Sequence, residues 1–346
     1  MECALIPPPL QQALLDPSVT DLCLNGHREL HVDRGAGFER IPGPGFRDEA
    51  GFRTFVLEEL SRSGKTWDAK LPFVDTVFFG THRAHLVFPP VARSGIHLSL
   101  RRLPSSPMLP LRELGDLARR RWRDPENAFE LLVAAVVNHE PVILSGSTGS
   151  GKTTLLNDLL AFTPPSERLI ALEDTPELSP GHPHFTSLVT RNANADGFGA
   201  VTLRDLVRQT LRMRPDRILI GECRGDEVLD LLQALNTGHR GSLTTLHANS
   251  AVDALKRLEL LALIAARGQI PAPLLRILIG RGIRKIAHLE STAQGRRIAE
   301  VISVEGCEGE VILSRTLFST SRPTRDPPPH RPPLSETGGA FPRSRW

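Results

Sequence analysis

Tyrosine is absent from this chain of 346 residues, and Phe and Trp bring the aromatic share to only 5%. Proteins that grip single-stranded nucleic acid stack bases on aromatic platforms, so this scarcity argues against such a role. Lysine is scarce too: 5 of the 42 basic residues are Lys and the rest are Arg. The four cysteines, Cys3, Cys23, Cys223 and Cys307, include no C-x-x-C pair. Neither a disulfide framework nor a structural zinc is indicated, and reduced thiols are expected. No apolar run approaches the roughly eighteen residues of a membrane span; residues 131–137 and 260–266 read as buried helix. The opening MECALIPPPL lacks a basic stretch ahead of an apolar core, so no signal peptide and an intracellular location are expected. Surplus charge is also missing from most of the chain. The net +3 resides in residues 316–346, where five Arg face Asp326 and Glu336, and residues 1–315 are neutral. Nucleic-acid binders usually carry a basic surplus on their folded part, so no direct nucleic-acid partner is expected.

What is present suits two domains. Residues 1–104 read as a small α/β domain, with strands at 21–26, 29–35, 74–80, 82–90 and 96–103 and a helix over 48–60. PSSPMLP at 104–110 is the clearest break, and a linker is set at 105–122. Residues 123–318 then alternate strand and helix, which predicts a mainly parallel sheet between helices with ligands at the strands' carboxyl ends. Residues 319–346 hold seven prolines and read as a disordered tail.

The stretch VILSGSTGSGKTTLL at 142–156 is strand, glycine-rich loop, helix. It contains G-x-x-x-x-G-K-[ST], a P-loop: Gly146, Ser147, Thr148, Gly149, Ser150, Gly151, Lys152 and Thr153, with Thr154 next. Glycines at positive φ let successive N–H groups face phosphate oxygens beside the positive end of a helix. Lys152 is placed to reach the terminal phosphates, and the Thr153 hydroxyl to ligate Mg²⁺. A compact ammonium fits inside such a loop where a planar guanidinium does not, and this Arg-rich chain keeps Lys at that position.

Three polar clusters follow, each beside an apolar strand. Glu173 and Asp174 close 169–172, with Glu177 shortly beyond; Glu222 closes 218–221, followed by Arg224; His239 and His247 flank the strand near 242–248. A nucleotide hydrolase needs one carboxylate for Mg²⁺ and another group to orient water, and two strand-end acids meet that need. The histidines are not spaced as a helix-borne zinc pair and are read as able to sense a terminal phosphate. Arg191, Arg204, Arg208, Arg212, Arg214 and Arg217 crowd one region; most belong on a solvated surface, and Arg204 is taken as the catalytic candidate among them.

RLIALEDTPEL (168–178) and the long segment 201–255, together with the P-loop in this order, closely resemble the secretion ATPases of the type II and type IV superfamily. Within it the motifs look closest to the CpaF-like ATPases of tight-adherence (Flp-type) pili, with conjugation ATPases next. The likeness runs from about Asp16 to about Phe318, and DPSVTDLCLNG (16–26) is similar to the family's N-terminal domain. The resemblance implies a PAS-like N-terminal domain, a RecA-like P-loop domain and a ring hexamer that hydrolyses ATP with Mg²⁺. It also implies action at the cytoplasmic face of the inner membrane with membrane platform proteins as partners. By matching position, Glu173 would orient the attacking water, Glu222 would hold Mg²⁺, and His239 and His247 would form the histidine box. Arg83 and Arg101 would reach the terminal phosphates. The cysteine cluster of many type II secretion ATPases is missing, which favours the pilus or conjugation branch. Replacing the loop ammonium by Lys152→Ala is expected to abolish nucleotide binding, read by titration with a fluorescent ATP analogue.

Overall fold

The computed structural model describes residues 6–320, apart from 36, 43–44, 71, 104–108, 123–127, 194–196, 293–294 and 310. Most of the break read at 104–110 and the tail from 321 onward lie outside the described residues.

The N-terminal unit comprises α1 (Pro8–Leu15), β1 (Asp21–Asn25), β2 (Glu29–Asp33), β3 (Phe38–Arg40), α2 (Glu49–Arg62), β4 (Phe73–Phe78), β5 (His82–Val87) and β6 (His97–Arg102). Its sheet runs in the order β3-β2-β1-β6-β5-β4, antiparallel throughout. Period-two patterning sets its two faces. Leu22, Leu24, Leu30, Val32, Ala84, Leu86, Leu98 and Leu100 point one way and pack on Phe52, Phe55, Val56 and Leu60 of α2. The alternate positions, Arg83 and Arg101 among them, therefore lie on the other face. Asp48 caps α2 by accepting from the Gly51 amide at 2.8 Å, satisfying one of the helix's orphan donors.

The second unit begins with α3 (Leu111–Arg121) and α4 (Ala128–Val137) and continues through β7 (Val142–Gly146), α5 (Lys152–Leu160), β8 (Leu169–Glu173) and β9 (Phe185–Val189). Then come α6 (Leu203–Thr210), β10 (Arg217–Ile220), α7 (Glu227–Asn236), β11 (Leu243–Leu246), α8 (Ala251–Ala266) and α9 (Ala272–Gly282). β12 (Lys285–Thr292), β13 (Gly295–Glu308) and β14 (Val311–Ser319) complete it. The sheet order is β14-β13-β12-β7-β11-β10-β8-β9, parallel from β9 to β12 and antiparallel only at β13 and β14. Helices α6 to α9 cover one face and α3 to α5 the other. β7, β8, β10 and β11 are consequently buried at every position, which is why β7, β8 and β10 carry short apolar runs, while β11 buries Thr244 and Thr245 at its centre. Helix α3 packs with this core through Ala118 and Trp122, and the Trp122 indole N–H donates to Asp158 of α5 at 2.6 Å. Among the described residues no helix is long and apolar enough to cross a membrane.

One buried charge ties the sheet's amino-terminal edge together. Arg217, 0% exposed at the start of β10, donates to Glu167 at 2.5 Å and to the Val136 carbonyl at 2.8 Å. His139 lies 3.2 Å from the other Glu167 oxygen. Removing one partner of a buried pair strands the other. Arg217→Ala is therefore expected to lower stability by about 3–5 kcal/mol in urea unfolding, although it lies at the end of the sheet away from the site described next.

Candidate active site

Parallel strands deliver their carboxyl ends to one edge, and there β7 runs into the glycine-rich loop. Gly146 sits at φ +151°, where a Cβ would meet Ser150 Oγ at 2.5 Å and the Leu289 carbonyl at 2.6 Å. Gly151, at φ +97°, is the N-cap of α5 and has no side chain with which to cap it. The first-turn amides of α5 therefore lack a side-chain acceptor and face the loop, an arrangement that suits an anion. Lys152, 8% exposed, donates to the carbonyls of Gly146 and Ser147 at 2.9 and 2.8 Å. Burial lowers its pKa, opposed by the negative fields of Glu222 and Glu177. Thr148, Gly149, Lys152 and Thr153 wall a cleft of about 260 Å³. Gly146, Ser147, Ser150, Gly151 and Thr154 build the loop and helix turn behind that wall.

The acids on the far wall differ in what they are free to do. Glu173, at the end of β8, is 2% exposed. One of its oxygens accepts from the amides of Glu177 and Leu178 at 2.8 and 2.9 Å, and the other from Ser187 Oγ at 3.0 Å. Burial raises its pKa to about 7. Its bonds hold the following turn, and that turn presents Glu177 to the cleft with 30% of its side chain exposed. Glu177 accepts from Thr153 Oγ1 at 3.3 Å and pairs with Arg83 at 3.3 Å. Glu222, two residues beyond β10, lies 3.4 Å from His247 Nε2 and 3.7 Å from Arg224. Burial, followed by the charge of Lys152, depresses the His247 pKa and favours its neutral form.

The cleft's third wall comes from the N-terminal unit. Arg83 on β5 and Arg101 on β6 are direct cross-strand partners and both line the cleft. Like charges opposite each other in an antiparallel pair repel, so the pair favours an anion between or beside its members. Glu177 serves Arg83, and Asp21 serves Arg101 at 2.7 Å.

Two of the residues read from sequence are not brought here. His239 precedes β11 and His247 follows it, so the strand holds them at opposite edges of the sheet. The His239 backbone binds Ala234 and Ser242, and only His247 enters the cleft. Arg204, on α6, is paired with Asp230 at 2.7 Å and with Asp226 at 3.9 Å, outside the cleft wall. Conversely, Glu177 and Arg224 enter the site although neither was singled out as a site residue. The spacing Glu173-x-x-x-Glu177 around Pro176 was the available signal for the first.

The donor set fits a magnesium nucleotide. Thr153 and Glu222 offer hard oxygens, too few for a protein-only cage, which suits an ion that keeps waters and shares phosphate oxygens.

The sequence profile of the type II/IV secretion system protein family matches residues 11–318. A proposed conjugal transfer protein of Mycobacterium tuberculosis is 39% identical over 310 residues, covering 87% of this chain and 85% of that protein. The conjugal transfer protein TrbB of Rhizobium radiobacter is 33% identical, covering 85% of this chain and 86% of its own. The type IV secretion system protein VirB11 of Brucella suis is 31% identical, covering 85% and 88%. Among solved structures, the pilus retraction motor PilT with bound ADP shares the fold at TM-score 0.59 and 19% identity, over 90% of this chain and 82% of its own. The Legionella pneumophila ATPase DotB does so at TM-score 0.56 and 19% identity, over 85% and 78%. The RecA-like architecture implied by the motifs is thus the observed one.

The buried acid has a measurable signature. The folded chain holds the Glu173 proton up to about pH 7, whereas the ordinary carboxyl releases it near 4.5. Between these values the native state binds more protons than the unfolded one, so this group's contribution to stability falls as pH rises through the window. Glu173→Gln, which mimics the protonated form, is expected to flatten that fall. Urea unfolding at pH 5 and pH 8 should show the variant gaining on the parent at the higher pH.

Proposed function

The chain belongs to the type II/IV secretion system protein family, and from that premise we propose that it is an ATP-hydrolysing motor of the conjugation or type IV secretion kind. The conjugal transfer and VirB11 relatives, matched over most of their length, support this branch. The pilus branch, to which the motifs alone pointed, has less support. A ring of six copies, working at the cytoplasmic face of the membrane with membrane-embedded partners, completes the reading.

The observation that carries the chemistry is Glu177, held between Thr153 of the P-loop and Arg83 of the other unit. A bound triphosphate would accept from the α5 amides and draw Lys152 off the carbonyls of Gly146 and Ser147. Its terminal phosphate would then lie at the Glu177 and Glu222 end of the cleft. Freed from Arg83, Glu177 would orient a water whose oxygen bonds to the γ-phosphorus as the bond to the β–γ bridging oxygen breaks. The bridging oxygen keeps the electron pair, and the water's proton passes through Glu177 to the departing phosphate. Arg83 and Arg101 would neutralise charge gathering on the γ-phosphate oxygens, a stabilisation made only as the reaction proceeds. Thr153 and Glu222 would hold magnesium, which supplies Lewis-acid neutralisation of phosphate charge. Glu173 fixes the turn that aims Glu177, so its part is positioning.

Two isosteric variants separate these roles. Glu177→Gln is expected to bind ATP normally and to lose turnover by about 100-fold or more, while Glu173→Gln keeps turnover within about tenfold of the parent. The reverse ranking in a steady-state phosphate assay sinks the assignment, and a parent protein without turnover sinks the motor reading itself.

A further inference from the structure

A second and larger cavity, about 640 Å³, opens beside the nucleotide cleft. The two share Arg83, Asp174, Thr175 and Arg224 as walls. The P-loop fixes the polarity of a bound triphosphate, so this junction adjoins its terminal phosphate and lies away from the nucleoside. The remaining walls come from both units: the end of α2 and the turn after it, β4, and the segment from β9 to Asn192.

The charges in this cavity are unevenly matched. Asp75 is taken by His85 at 2.9 Å, and Asp174 by Arg224 at 2.7 Å. Arg62 pairs with Glu58 and Glu59 of its own helix. Lys65, half-buried in the turn beyond α2, has no ion pair among the described residues. It is one of only 5 lysines in the chain. A half-buried lysine with no ion pair among the described residues, in a cavity that joins the cleft where the phosphate dianion would be shed, favours an anion beside it.

We infer that this cavity is an exit vestibule for inorganic phosphate, with Lys65 as the cation that receives the anion after it passes Arg83 and Arg224. The inference rests on the hydrolytic reading above. Release then proceeds between the two units, away from the P-loop that still holds the diphosphate. ADP leaves by the other end of the cleft, so the order of product release is open to control by the spacing of the units.

The test uses the full chain with magnesium ATP and follows two signals in one turnover: cleavage by rapid quench and free phosphate by a fluorescent phosphate sensor. Lys65→Ala is expected to cleave at the parent's rate and release phosphate about tenfold more slowly, with Lys65→Arg restoring release. Phosphate release at the parent's rate in Lys65→Ala overturns the vestibule, as does a loss of the cleavage step in that variant. Absence of cleavage in the parent defeats the hydrolytic reading instead, so the two failures are told apart.

Discussion

Six neighbouring strands point the same way, and this shared polarity is the constraint on which the rest of the molecule depends. Helices covering both faces leave the middle of the sheet mostly apolar, so ionisable side chains collect chiefly at the strand ends. At one end a buried arginine and glutamate lock the edge. At the other, β7 turns into a helix start that no side chain caps. Its first-turn amides suit an anion, and the acids and cations that line the cleft reach the same edge because their strands end there. The N-terminal sheet adds what a single sheet edge lacks, two cations arriving from the opposite side.

Legibility followed the range of the interactions involved. The P-loop is eight consecutive residues with fixed backbone demands, so it was readable without any tertiary knowledge. β7, β8 and β10 were readable because burial on both faces leaves short apolar runs. α9 and β9 were not anticipated. α9 carries Gly280 and Gly282 near its end, and Gly280 is there because the backbone of Gly306 approaches within 2.8 Å of where its Cβ would be. β9 is a half-buried edge strand with mixed polarity. N-terminal positions 8–15, rich in proline at their start, form a helix because proline is tolerated in a helix's first turn.

Within the site, the residue types that gather at the strand ends were legible, whereas the hydrogen bonds that tie some of them down were not. Glu173 and Glu177 are four residues apart and chemically identical. Which one faces the cleft depends on a turn that folds back so that its own amides bond Glu173, leaving Glu177 to Thr153 and Arg83. The strand between His239 and His247 was legible in the sequence, and it holds the two at opposite edges of the sheet, so the histidine pair that the family resemblance implied does not meet in the cleft. Arg204 was one of several candidates, and its partner Asp230, on the next helix, was not visible as such. The choice between pilus and conjugation branches lay beyond site chemistry altogether, since both would use the same loop, acids and arginines.

The contact between Arg83 and Glu177 joins the two units as well as two charges. An anion that takes Arg83 from Glu177 exchanges one inter-unit bond for another that passes through the ligand. If a bound nucleotide makes that exchange, binding and the separation of the units become linked functions, and linkage is reciprocal. Whatever tightens on the nucleotide must change the preferred spacing of the units by an equal coupling free energy. On the proposed reading, a load that pulls the units apart would weaken nucleotide binding by the same coupling. For a motor of the proposed kind, the Arg83–Glu177 pair would then serve as a force-sensitive contact with no separate sensor.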